Sequence, residues 1–306
     1  MDMITAIIDG WQDGRQRDPC WLPRYHEGMK VDFHVHIFPT WTEEEREELC
    51  RRERAFREMY GSSKASIIGH DLLLRSMDEA EIDVSVVLGF AWDDPKLCRR
   101  HNDYLLEAAA RSGGRLLPFC TVNMGCPGAV EEVDRCAQAG AVGLGELRPQ
   151  DQGWDLQGPA GEALAYLARK WGLALLFHVT EPVGHLYPGK GGLALNSFYN
   201  FAASHPDLII IGAHLGGGLP FYAYMPEVQE VCQRIYFDTA ACPYLYRPEV
   251  YLEVVRKIGA ERLLFGSDFP LLGQKRALAH IQGSGLGGSA LDLILGQNAQ
   301  AMLMKR

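Results

Sequence analysis

The chain has 306 residues, with 39 acidic against 30 basic side chains, a net charge of −9, 47% hydrophobic residues, 33 glycines and 10 histidines. This is the composition of a folded chain and excludes collagen, coiled coil and disordered polymers. The acidic balance argues against nucleic acid as a partner, because polyanion binding draws its affinity from clustered Lys and Arg.

Residues 1–30 read as an N-terminal extension. Val31–Phe38 is the first of eight short apolar, β-branched runs, followed by Val84–Trp92, Leu116–Asn123, Ala141–Leu147, Leu173–Val179, Leu208–Leu215, Ile235–Ala241 and Leu263–Phe269. Near-continuous apolar runs suit strands buried on both faces, and helical stretches between them imply parallel pairing. The gap after the first run is the longest, and 40–83 reads as a helical insertion. Within it Thr42 and Glu45 form a capping box that opens a charged helix to Tyr60. Glu47–Arg51, Glu48–Arg52 and Glu53–Arg57 stand at the supporting (i, i+4) spacing. Asp94-Pro95 places a cap before a first-turn proline. The expected fold is an α/β (β/α)8 TIM barrel over 31–306 with this helical insertion after the first strand. The rival, an open doubly wound sheet, lacks its GxGxxG turn.

His34 and His36 lie two apart in the first strand, so both imidazoles project to one side. His178, His214 and Asp268 close the fifth, sixth and eighth runs, and Glu146 lies near the end of the fourth. In a barrel those ends converge on one mouth. Buried imidazoles and carboxylates are costly unless paired, and a divalent cation satisfies several at once. Nitrogen and oxygen donors without thiolate make Zn2+ the expected ion, with Mn2+ or Fe2+ as alternatives. One ion is expected, with a second if Glu146 bridges. The competing role for Glu146 is an acceptor that orients a histidine or arginine.

Phe33-His34-Val35-His36, His178, Gly212-Ala213-His214-Leu215-Gly216-Gly217 and Gly266-Ser267-Asp268-Phe269-Pro270 together resemble the metal-dependent amidohydrolase superfamily. The resemblance is to the amidohydrolase-related branch that includes aminocarboxymuconate-semialdehyde decarboxylase, resorcylate decarboxylases and pyrone-dicarboxylate lactonases. It implies a (β/α)8 barrel, His34, His36, His178 and Asp268 as metal ligands, and His214 as a ligand or acid/base group. Glu146 departs from the mononuclear members, which place no ligand after the fourth strand.

The first expectation for activity is hydrolysis of a small, carboxylated lactone, ester or amide by metal-activated water, with Asp268 and His214 as catalytic groups. The alternative is nonoxidative decarboxylation of an aromatic or muconate-type acid, in which an acid protonates the carbon. A noncatalytic metal-binding barrel is the remaining reading. Arg148, as a carboxylate clamp, Trp92, Asn123 and Tyr187 are the expected substrate-binding residues, and Glu181 and His185 also follow a strand. Asp238 is expected to hydrogen-bond within its strand, and His101 and His205 to be structural. The partner is a small molecule, and a homodimer is the commonest assembly. The cysteines show no CxxC pair, no signal peptide is evident, and no stretch approaches the roughly 18 apolar residues of a membrane span. A cytoplasmic location follows as an expectation.

Overall fold

The computed structural model describes residue 26 and residues 28–304. Most of the expected extension, 1–30, lies outside the described residues. Eight parallel strands pair in sequence order: β1 (Val31–His36), β2 (Val84–Leu88), β3 (Leu116–Cys120), β4 (Gly143–Leu147), β5 (Ala174–Phe177), β6 (Ile210–Gly212), β7 (Tyr236–Asp238) and β8 (Leu263–Leu264). Helices separate them, so the chain is a (β/α)8 barrel. Each apolar run forms a strand, but most stop short of the run's C-terminal end. The remaining residues leave the ladder and turn into the mouth.

Alternation sorts each strand into two layers. Phe33, Val86, Phe119, Leu176 and Leu264 fill the barrel interior, while Val35, Val87, Leu144, Phe177 and Phe237 pack outward under the helices. The interior is tight enough to require glycine at 143, where a Cβ would stand 2.5 Å from the Phe119 ring. The barrel closes between β1 and β8 through Phe33 N to Phe265 O and His36 N to Phe269 O, both 2.7 Å. At this seam the fully buried Asp32 carboxylate accepts from Ser267 N at 2.9 Å, Ser267 Oγ at 2.6 Å and Gln274 Nε2 at 2.8 Å. Burial pushes its carboxyl up to about 6 against the pull of those hydrogen bonds.

The insertion is helical but is not one helix. It breaks into Thr40–Glu44, Arg46–Arg52 and Arg54–Tyr60, with His70–Ala80 leading to β2. The capping box does not form: Pro39 caps the first segment and Thr42 is buried inside it. Glu53 does not pair with Arg57; its carboxylate accepts from Asp93 N at 2.7 Å and Asp94 N at 3.3 Å. Arg52 likewise reaches Asp94 at 2.8 Å instead of Glu48. These contacts, with Phe56 buried beside Phe38, Phe90 and Trp92, dock the insertion on the rim above β1 and β2. The described cysteines are all free thiols. Among the described residues no helix is long and apolar enough to cross a membrane.

Leu176→Ala would remove a fully buried side chain from the interior, where little can collapse to fill the space. It is expected to destabilise the fold by about 2–5 kcal/mol, read as a lower urea midpoint at unchanged slope.

Candidate metal centre and pocket

Two of the strands that carry polar groups are irregular. β1 shifts register between Asp32 and Val35, and β4 between Leu144 and Leu147. Such bulges re-aim side chains, here around His34 and Glu146. His214 and Asp268 follow β6 and β8 in left-handed backbone, with φ of 57° and 66°. That region costs a non-glycine residue on the order of 1–3 kcal/mol. Both are held from outside: His214 N donates to Asp238 Oδ1 at 2.9 Å, and Asp268 N to His34 O at 2.8 Å.

Barrel closure brings His34, His36, Glu146, His178, His214 and Asp268 together, all of them buried. Three of the imidazoles have an outer nitrogen tied to an acceptor. His34 Nδ1 donates to Asp238 Oδ2 at 2.8 Å, His214 Nδ1 to the Ala240 carbonyl at 3.0 Å, and His178 Nε2 to the Gly189 carbonyl at 2.9 Å. These oxygens can only accept, so the outer nitrogens carry protons and the inner ones face the centre, where a metal would take their lone pairs. His34 Nε2 lies 3.2 Å from His36 Nε2, and Asp268 Oδ1 lies 3.7 and 3.6 Å from that pair. Glu146 Oε1 is 2.7 Å from His178 Nδ1, 3.2 Å from His214 Nε2 and 3.8 Å from His34 Nε2. Asp238, which joins His34 to the backbone of His214, therefore does more than the strand hydrogen bonding expected of it.

The charges follow from this geometry. Burial alone would depress His34, but the charge and hydrogen bond of Asp238, with Glu146 and Asp268 behind them, push it up to about 10. His214 is likewise driven up to about 9 against its burial, mainly by the hydrogen bond and charge of Glu146. His36 falls to about 4 through burial and the neighbouring His34. Burial and then the charge of Arg148 lower His178. Glu146 stays well below the ordinary carboxylate range despite its burial, because His178 and His214 surround it. Buried carboxylate charge concentrated at this point is what a divalent cation would balance.

The donor set fits such an ion. Ligand atoms of His34, His36 and Asp268 lie within 4.8 Å of one another, as do those of His34, Glu146 and His214. His34 is common to both groups. His178 belongs to neither group, although its inner nitrogen lies 2.7 Å from Glu146 Oε1 and 3.2 Å from His214 Nε2.

A cavity of about 440 Å³ opens above this cluster, within the usual range for a small ligand. His36, Glu146, His178, His214 and Asp268 reach it, and its walls include Met59, Tyr60, Phe90, His185, Tyr187, Tyr244 and Leu271. Of the expected substrate-binding residues, Tyr187 lines it and three others stand elsewhere. Arg148 is buried behind His178. It donates to Asp151 Oδ2 at 2.6 Å and the Gly189 carbonyl at 3.1 Å, so its guanidinium braces a loop and does not enter the pocket. Trp92 is fully buried under the insertion, with Nε1 donating to His101 Nδ1 at 3.1 Å. Asn123 closes a turn by accepting from Gly125 N and donating to Asp93 O, both 3.0 Å. Glu181 accepts from the hydroxyls of Tyr187 and Tyr246. Tyr60, Phe90 and Tyr244 were not anticipated. Phe90 had a signal, since it follows β2 by two residues, whereas Tyr60 and Tyr244 come from helices whose rotation the sequence leaves open.

Residues 31–304 match the family model described as Amidohydrolase, and the chain belongs to that family. Among curated proteins it is similar to gamma-resorcylate decarboxylase of Rhizobium radiobacter, 25% identical over 217 residues that span 57% of this chain and 66% of that protein. Its fold is similar to that of a 5-carboxyvanillate decarboxylase from Sphingomonas paucimobilis, with TM-score 0.73 and 16% identity over 90% of this chain and 99% of that one. It is also similar to a dihydroxybenzoic acid decarboxylase from Polaromonas sp. JS666 with bound manganese and 2-nitroresorcinol. There the TM-score is 0.69 and identity 19%, over 91% and 98% of the two chains.

These similarities correct the first expectation for activity. Hydrolysis was favoured because a metal beside a carboxylate can activate water, but the same parts can hold a carboxylated ring, and the similar proteins named above are decarboxylases. The chain is an enzyme of the amidohydrolase family with a divalent-metal site.

Metal binding is expected to release protons. His34 and His214, raised to about 10 and 9, are protonated at neutral pH without metal, and an ion on their inner nitrogens must displace those protons. Apparent Mn2+ affinity, measured by chelator competition, should therefore rise from pH 6 to pH 8. A flat profile would contradict this assignment.

Proposed function

We propose that this enzyme is a metal-dependent nonoxidative decarboxylase of a small ring-hydroxylated aromatic acid carrying one carboxylate. The observation that carries the reading is the character of the pocket: a floor of histidines and carboxylates under aromatic walls, with no Lys or Arg among the described lining residues. Aromatic walls suit a planar ring. A second carboxylate on that ring would meet no cation away from the metal, and burying it unpaired would cost several kcal/mol. The gamma-resorcylate decarboxylase relatives and the dihydroxybenzoic acid decarboxylase structure support the same direction.

When bound, the divalent ion supplies a positive centre that holds and orients the substrate's oxygens. His34, His36 and Asp268, with Glu146 and His214, are the residues we assign to hold it. His178, whose inner nitrogen lies beside Glu146 and His214, would be a further ligand. Zinc is the first assignment from the donor types, and manganese, present in the Polaromonas structure, is the alternative. The reaction adds a proton to the ring carbon that bears the carboxylate. The bond between that carbon and the carboxylate then breaks, its electron pair stays on the ring, and carbon dioxide leaves. Asp268, which faces the cavity, is the group we assign to supply that proton, while His214 is held by the Ala240 carbonyl with its inner nitrogen turned to the metal site. The apolar walls exclude water from the charged ring that forms between the two steps.

The purified chain should hold a stoichiometric transition metal and release carbon dioxide from 2,6-dihydroxybenzoate. Its kcat/KM for that acid should be at least about tenfold above that for 5-carboxyvanillate, whose second carboxylate finds no partner. Asp268→Asn should lower kcat by about 10²–10⁴-fold with the fold intact. Release of an alcohol or amine from lactones, esters or amides, with no carbon dioxide from the aromatic acids, would refute the proposal.

A further inference from the structure

We infer that the Tyr60 hydroxyl is a substrate-binding group that donates a hydrogen bond to an oxygen of the bound aromatic acid; this rests on the decarboxylase reading above. Three tyrosines line the cavity: Tyr60, Tyr187 and Tyr244. Two hydroxyls are engaged, Tyr187 with Glu181 Oε2 at 3.0 Å and Tyr244 with the Leu271 carbonyl at 3.3 Å. The Tyr60 hydroxyl has no hydrogen-bond partner among the described residues. Tyr60 is half-buried on the cavity wall, so this donor is open to a ligand there.

The ring is held in place from three sides. It stacks on Phe56 at 5.1 Å and 20°, and meets Phe38 at 5.0 Å and Phe90 at 5.8 Å edge to face. Phe38 and Phe90 leave β1 and β2, so the barrel itself fixes the ring. A donor already immobilised gives up little rotamer freedom when a ligand arrives. Burial, and then the charges of Asp268 and Glu146, hold the phenol well above its ordinary value, so it keeps its proton. None of these ring contacts uses the hydroxyl, and phenylalanine would make them equally. The oxygen is therefore superfluous to packing and useful only towards the cavity. On this view the insertion after β1, which ends its third helix at Tyr60, carries a specificity group to a site whose metal-binding groups come from the barrel strands and the residues just beyond them.

The test compares wild type with Tyr60→Phe, as full chains loaded with manganese, for binding of 2-nitroresorcinol, an unreactive ring with two hydroxyls. The variant should bind about tenfold more weakly, as expected for one lost hydrogen bond to a ligand oxygen. Its metal content and melting temperature should be unchanged. Binding within twofold of wild type at equal metal content would overturn the role of Tyr60 and leave the decarboxylase reading standing. A variant that fails to fold would overturn it as well, by assigning the hydroxyl to the fold. Failure of wild type itself to bind the probe would bring down both.

Discussion

The structure depends on closure of the barrel between β1 and β8. His34 and His36 stand on the first strand and Asp268 just beyond the last, and only that seam makes them neighbours. β8 contributes two residues, Leu263–Leu264, so the strand ladder is short there. The Asp32 carboxylate supplements it by gripping both donors of Ser267, and Asp268 N reaches back to His34 O. The strained backbone at Asp268 persists because these contacts over-determine it. The three ligand atoms within 4.8 Å are thus a product of the seam.

Across the mouth, a second constraint sets the chemistry. Asp238, Ala240 and Gly189 hold the outer nitrogens of His34, His214 and His178, fixing which face of each ring is basic. Inner lone pairs and two carboxylates are crowded into a volume that cannot be neutral without protons or a cation. A divalent ion held there would balance the charge of those two carboxylates. The walls come from other sources, the insertion and the loops after β5 and β7, which separates the part that reacts from the part that selects.

Much of this was legible in the sequence, for identifiable reasons. Eight apolar runs read as buried parallel strands because their patterning is local, and the polar residues at their ends converge once the barrel is granted. What was missed depends on contacts distant in the chain. The insertion breaks where Glu53 turns to the backbone of Asp93 and Asp94, a partner 40 residues away. Arg148 looked like a clamp from its place beyond Glu146, yet Asp151 and Gly189 take its guanidinium. Tyr60 was hidden because nothing local says which way a charged helix presents its last residue. The choice between hydrolysis and decarboxylation was beyond the motif, since both use the same metal and carboxylate; the aromatic, cation-free walls are a property of the folded pocket.

The most direct test of the central claim follows the atoms. The metal-loaded enzyme acting on carboxyl-labelled 2,6-dihydroxybenzoate in deuterated water should move the label wholly into carbon dioxide. It should also leave resorcinol with a single deuterium on the carbon that bore the carboxylate. Label retained on the ring, or product without deuterium at that carbon, would contradict the account.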